Sequence, residues 1–232
     1  MTLPIIFAAA AALLLGAFLY FRDDDGSVKA LYLKTAVSVL FIAVAVCGLP
    51  VSGGASVAPF FILITLGLTF GLLGDIFLDF KFVDKVNADA HTFAGMSVFA
   101  IGHILYIPAV IYFFALDASS VLISAAIALA AAAATVVVTV KLMKYNYGKF
   151  IVPAAVYSFL LMFFTAVSAA ALIKSSSTEA LLLTVGSIAF LLSDVVLSMQ
   201  YFGGKKGRGY IVPNHILYYA AQFLIAFTLV IL

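Results

Sequence analysis

Long apolar runs follow one another along the chain, separated by short polar segments. Each run has about 19–25 residues, the length that an α-helix needs to cross the hydrocarbon core of a bilayer. We therefore predict an all-α transmembrane bundle of about eight helices. The predicted spans are residues 2–21, 30–50, 57–81, 92–115, 119–140, 150–173, 179–202 and 212–232.

Composition narrows the class of protein further. Hydrophobic residues make up 66% of the chain and charged residues only 9%, too little charge to cover the surface of a soluble domain. No stretch long enough for a separate domain remains, so residues 1–232 are predicted to form one membrane domain. The net charge of +2, with no basic stripe, argues against nucleic-acid binding. Nothing in the sequence implies a soluble protein partner.

The basic residues indicate the orientation of the bundle. Of the 12 Lys and Arg residues, only Lys174 falls in an even-numbered loop, and the other 11 lie in or beside odd-numbered loops. Because basic loops stay on the cytoplasmic side, we expect the odd-numbered loops in the cytoplasm and both termini on the opposite side.

Two segments of the sequence occur twice. Residues 72–80 read LLGDIFLDF and residues 191–199 read LLSDVVLSM, while HILY occurs at 103–106 and again at 215–218. The copies are four predicted helices apart and therefore have the same orientation in the membrane. This pattern indicates two four-helix halves related by a parallel pseudo-repeat.

Five ionisable residues fall inside predicted spans, where a charge costs several kcal/mol unless it faces a protein interior or a wet cavity. They are Asp75, Asp79, Asp194, His103 and His215. We predict that all but His103 lie in the cytoplasmic half, where they could line one cavity. Asp75 and Asp194 recur in the repeat and are the candidate catalytic residues. Candidate supporting or substrate-binding residues are Asp79, His103, His215, Tyr106, Tyr218 and Gln222.

Two carboxyl groups in a membrane cavity suit acid–base chemistry on a lipid. One carboxyl can keep its proton at neutral pH while the other, ionised, stabilises a positive intermediate or activates water. The residues do not fix which aspartate is the acid. The sequence lacks the GxSxG and HExxH signatures of soluble hydrolases.

The order of these motifs resembles the lysoplasmalogenase, or YhhN-like, family. The resemblance rests on Gly74 and Asp75, on Ser193 and Asp194, and on the two histidines, His103 and His215. It implies a membrane hydrolase that cleaves the vinyl ether bond of lysoplasmalogens, giving a fatty aldehyde and glycerophosphoethanolamine or glycerophosphocholine. The resemblance implies that the acidic residues of the GD and SD motifs, here Asp75 and Asp194, are catalytic. A lysophospholipid within the bilayer is then the expected substrate, the cytoplasmic membrane of a bacterium the expected location, and no cofactor or metal is required.

Two other functions remain open at the level of sequence. The buried aspartates could bind protons or cations in a transporter of small molecules or lipids. Alternatively, His91, His103 and His215 could hold zinc with Asp75 in a zinc-dependent lipid hydrolase. His91 lies near a loop, about 18 Å from His103 at 1.5 Å per helical residue, which argues against a shared ion.

The orientation can be tested by cysteine labelling. In a Cys47→Ala background, we expect an impermeant thiol reagent added outside intact cells to label Ser52→Cys and to spare Lys144→Cys, because the two positions fall on loops of opposite charge character. Labelling with added detergent controls for reactivity at both positions. The opposite pattern in intact cells would reverse the predicted orientation.

Overall fold

The computed structural model describes residues 2–49 and 57–232, and Pro50 and Ser52 lie outside these ranges. The predicted all-α fold of eight helices is confirmed. The helices are α1 (Thr2–Phe21), α2 (Val28–Cys47), α3 (Val57–Val83), α4 (Ala88–Phe113), α5 (Ala118–Val137), α6 (Ile151–Ser175), α7 (Thr178–Tyr201) and α8 (Arg208–Phe227). A π-helical turn, Val138–Leu142, continues α5, and a 3₁₀ turn, Gly148–Phe150, precedes α6.

Seven of the described helices, α1 to α7, are long and apolar enough to cross a membrane. The chain is therefore an integral membrane protein. The last helix, α8, is less apolar because it carries a set of polar side chains that are buried against its neighbours. These are Asn214, His215, Tyr218, Tyr219 and Gln222.

The packing of the helices follows the predicted repeat. Within the first half, α1 packs on α2, α2 on α3 and α3 on α4, and the same sequence of contacts joins α5, α6, α7 and α8. The largest contacts between the halves join α4 to α6 and α8 to α2, and α8 also contacts α1 and α3. The two largest contacts are equivalent, because exchanging the halves puts α8 in the place of α4 and α2 in the place of α6, as a pseudo-twofold arrangement requires.

Glycines allow α3 and α4 to approach closely. A Cβ atom on Gly67 would lie 2.2 Å from the Tyr106 ring, and one on Gly74 would lie 2.4 Å from the Phe99 ring. Small residues favour such packing between membrane helices. The close approach brings the face of α3 that carries Asp75 and Asp79 into the interior of the bundle, where both carboxyl groups are buried.

The loops after the odd-numbered helices meet at one end of the bundle, called here the basic end (residues 22–27, 84–87, 143–150 and 202–207). The Gly207 backbone N–H donates to Asp24 Oδ1 at 2.9 Å, and the Asn146 N–H donates to the Phe202 carbonyl at 2.9 Å. Lys149 Nζ lies 2.7 Å from Asp89 Oδ2, at the start of α4. These contacts place the four loops around a common opening.

Candidate active site

A cavity of about 970 Å³ opens at the basic end. Its wall includes the four groups that the sequence predicts to share one cavity, Asp75, Asp79, Asp194 and His215. Tyr218 also lines it, whereas His103, Tyr106 and Gln222 do not. The sequence-predicted acidic residues of the two halves thus reach the same space.

Lys34, on α2, lies between the two carboxylates of α3. Its Nζ atom is 3.2 Å from Asp75 Oδ1 and 3.2 Å from Asp79 Oδ1. Lys34 is only 5% exposed. The prediction that it lies in or beside a loop is therefore wrong, because it lies inside the bundle. The carboxylates of Asp75 and Asp79, on successive turns of α3, offset the free energy of hydration that the ammonium group loses on burial.

Asp75 accepts hydrogen bonds in addition to its ion pair. Ser38 Oγ donates to Asp75 Oδ2 at 2.6 Å, and the Tyr218 hydroxyl donates to the same oxygen at 2.7 Å. Gln222 Nε2 donates to the Tyr218 hydroxyl at 2.9 Å. Three donors around one carboxyl, one of them cationic, favour the ionised form of Asp75.

Asp79 is the counter-ion of two cations. Besides the contact with Lys34, its Oδ1 atom lies 3.7 Å from Arg22 Nη2. Asp79 and Arg22 are 4% and 6% exposed, and the Arg22 guanidinium stacks on Phe82, 4.0 Å from the ring centroid. Asp79 therefore supports the site by holding charge in place, and Arg22, like Lys34, moves from the predicted loop into the interior.

Asp194 has different surroundings. The Tyr157 hydroxyl of α6 donates a short hydrogen bond to Asp194 Oδ2, and among the described residues no cationic side chain pairs with this carboxyl. Next to it, Asn214 Nδ2 donates to the Ser193 carbonyl at 2.9 Å and to Ser193 Oγ at 3.0 Å. These two hydrogen bonds of Asn214 hold α8 against α7 beside Asp194.

The two carboxyl groups occupy equivalent places in the repeat. Ser38 precedes Asp75 by 37 residues, and Tyr157 precedes Asp194 by 37 residues. One helical turn before Ser38 stands Lys34, but one turn before Tyr157 stands Pro153. The repeat thus supplies each aspartate with one hydroxyl donor from the preceding helix, and the ammonium group is present in the first half only.

His103 and Tyr106 lie behind the cavity wall. The His103 ring contacts Tyr157 and Phe190, with centroid separations of 5.5 and 5.0 Å. Within the described parts of the chain, neither nitrogen of His103 nor the Tyr106 hydroxyl has a hydrogen-bond partner. Neither residue lines the cavity, so neither is placed to contact a substrate there. His103 contacts Tyr157, which in turn bonds to Asp194.

The three histidines are separated. His91 Nε2 lies 3.0 Å from Asp84 Oδ2 in the loop before α4, and this hydrogen bond lowers the pKa of Asp84. His215 Nδ1 lies 2.8 Å from the Ile211 carbonyl, and His103 is enclosed by aromatic rings. In residues 2–49 and 57–232, no three side chains among His, Cys, Asp and Glu come together as metal ligands do.

Sequence reasoning missed Lys34, Arg22, Ser38 and Tyr157. The positive-inside pattern places both cations among the loops, although Phe21 and Arg22 end an apolar run and Lys34 lies within one. Ser38 and Tyr157 carry a usable signal, because each stands at the same offset before a repeated aspartate. Applying the repeat to the second and sixth helices would have identified this pair.

The fold and the cavity define a polytopic membrane protein with a buried cluster of ionisable groups at one end of the bundle. The sequence profile of the YhhN family matches residues 29–229. The chain belongs to the YhhN family, which confirms the resemblance drawn from the GD and SD motifs. No curated protein matches the chain, and no solved structure matches it.

The buried ion pairs can be tested by replacing Lys34. Lys34→Met should destabilise the protein by about 3–5 kcal/mol, because it leaves Asp75 and Asp79 buried without their shared cation. Thermal unfolding in detergent measures the loss. Lys29→Met, an exposed position on the same helix, is the matched control. The double variant Lys34→Met, Asp79→Asn should recover part of the loss, and a single variant as stable as the parent would show that the pairs contribute nothing.

Proposed function

We propose that this protein is a membrane hydrolase that cleaves the vinyl ether bond of lysoplasmalogens by acid–base catalysis. The observation that carries the proposal is a cavity between the helices that is lined by Asp75 and Asp194, of which only Asp75 is paired with a cation from the described part of the chain. Membership of the YhhN family supports it, since the resemblance to lysoplasmalogenases implies this reaction. The products are a fatty aldehyde and glycerophosphoethanolamine or glycerophosphocholine.

The cavity suits an amphipathic substrate with one hydrocarbon chain. At about 970 Å³ it is at the upper end of the range for small-molecule sites. Charged side chains surround its opening, and apolar side chains form much of its wall. The apolar lining includes Leu78, Phe99, Leu161, Met162, Phe190 and Leu197.

The first chemical step is proton transfer to carbon. Asp194, hydrogen-bonded to the neutral Tyr157 hydroxyl and without a cation beside it, is the proton donor in this mechanism. Its proton adds to the β-carbon of the vinyl ether, and the electron pair of the double bond forms the new C–H bond. The α-carbon and the ether oxygen then share the positive charge of an oxocarbenium ion.

The ionised partner acts on that cation. Asp75, held as a carboxylate by Lys34, Ser38 and Tyr218, stabilises the oxocarbenium ion electrostatically. Water adds to the α-carbon and returns one proton to the Asp194 carboxylate. In the resulting hemiacetal the bond from the α-carbon to the glycerol oxygen breaks, the hydroxyl proton of the hemiacetal passes to that oxygen, and the products are the aldehyde and a glycerol hydroxyl.

Purified protein in detergent or nanodiscs tests the reaction. We expect aldehyde release from a lysoplasmalogen and no fatty acid release from the matched lysophospholipid that bears an ester, because proton transfer to carbon requires the double bond that only the vinyl ether has. Proton transfer to carbon also predicts slower turnover in heavy water. Protein that releases no aldehyde but carries protons or cations across liposome membranes would contradict the proposal and favour a transporter.

The two carboxyl groups can be tested in the same assay. Asp75→Asn and Asp194→Asn should each lower turnover at least ~10²-fold, the scale of losing an acid–base group. Asp89→Asn is the matched control, because Asp89 lines the opening of the same cavity but is exposed and pairs with Lys149. Near-full activity in either folded Asp75 or Asp194 variant would disprove the division of roles.

A further inference from the structure

We propose that Arg22 and Lys81 form an anion subsite that binds the phosphodiester of the lysophospholipid head group. This inference rests on the function proposed above and adds the site for the polar end of the substrate. Both side chains line the cavity near its opening at the basic end. Neither takes part in the proton chemistry.

Arg22 is buried with part of its guanidinium group unused. Arg22 is 6% exposed, and its one ion pair with the described residues is the 3.7 Å contact between Nη2 and Asp79 Oδ1. Nε and Nη1 have no hydrogen-bond partner within the described residues. Both of these atoms are enclosed by protein, whereas Nη2 lies 3.7 Å from Asp79 Oδ1, too far for a hydrogen bond. The N–H groups of Nη2 are therefore the ones that can bond to an oxygen atom of a ligand in the cavity.

Lys81 places a second cation beside the first. Its Nζ atom lies 4.9 Å from the centroid of the Phe82 ring, whose centroid is 4.0 Å from Arg22 Cζ. The same ammonium group lies 3.1 Å from the centroid of the Tyr201 ring. Among the described residues no carboxylate pairs with Lys81, so no protein carboxylate competes with a bound anion for this side chain.

The charges of the inner cavity fit a ligand with one negative charge. With Asp194 protonated, as proposed above, Arg22, Lys34 and Lys81 stand against two carboxylates, Asp75 and Asp79. At the opening, Lys85 pairs with Asp25 and Lys149 pairs with Asp89, and Lys205 and Lys206 are exposed to water. A phosphodiester carries a single negative charge and accepts the paired N–H bonds that a guanidinium group offers.

The distances along α3 from Asp75 to Asp79 and to Lys81 also fit the length of the polar part of the substrate. Asp79, which contacts Arg22, follows Asp75 by one helical turn, a rise of ~6 Å, and Lys81 follows by ~9 Å. In a lysoplasmalogen the three-carbon glycerol unit separates the vinyl ether from the phosphate. A substrate with its ether at Asp75 therefore extends its phosphate toward Arg22 and Lys81.

Kinetics with two substrates separate this subsite from catalysis. For Arg22→Gln and Lys81→Gln, we expect KM for the lysoplasmalogen to rise at least tenfold, while KM for a 1-alkenylglycerol without phosphate stays within about twofold of the parent. Lys85→Gln removes the same charge from the opening at an exposed, paired position and should change neither KM. Equal effects on both substrates would overturn the subsite.

A binding measurement keeps the inference testable if Arg22→Gln does not fold or if no hydrolysis occurs. Glycerophosphoethanolamine and inorganic phosphate are titrated against the protein in nanodiscs by calorimetry. We expect the diester to bind the parent and Asp194→Asn alike, and to bind Lys81→Gln at least tenfold more weakly. No diester binding to the parent, or tighter binding of inorganic phosphate than of the diester, would overturn the assignment. Aldehyde release bears separately on the proposed function.

Discussion

The ion pairs of Lys34 with Asp75 and Asp79 are the interaction on which the rest of the site depends. A single buried charge in a membrane protein costs several kcal/mol, so none of the three groups would be stable in this place alone. Together they join α2 to α3, at 3.2 Å for each contact. Tyr218 then joins α8 to the same carboxyl. The opening of the cavity is thus built around a cluster that is costly to separate.

The repeat explains why there are two carboxyl groups, and Lys34 explains why they differ. A duplicated four-helix unit gives each half an aspartate with a hydroxyl donor one helix earlier, Ser38 in the first half and Tyr157 in the second. Two identical acids could not divide the tasks of proton donor and anion. Lys34 in one half, where Pro153 stands in the other, makes the environments of the two aspartates unequal, as the proposed division into proton donor and carboxylate requires.

Much of this architecture could be predicted because the bilayer imposes simple rules. Apolar length identifies the spans, and the predicted span ends differ from the observed helix ends by at most five residues. The duplicated motifs locate Asp75 and Asp194. The burial of Lys34 and Arg22 was not predicted, because a basic residue near the end of an apolar run ordinarily lies beside a loop. Only the packing of helices distant in sequence shows which carboxylates can hold them inside.

The proposed mechanism requires Asp194 to carry a proton at neutral pH while Asp75 is ionised. Infrared difference spectroscopy of the purified protein measures this directly, since a protonated carboxyl group has a carbonyl stretching band that a carboxylate lacks. We expect Asp194→Asn to remove such a band at neutral pH and Asp75→Asn to leave it in place. Loss of the band in Asp75→Asn and its survival in Asp194→Asn would reverse the assignment of the two carboxyl groups.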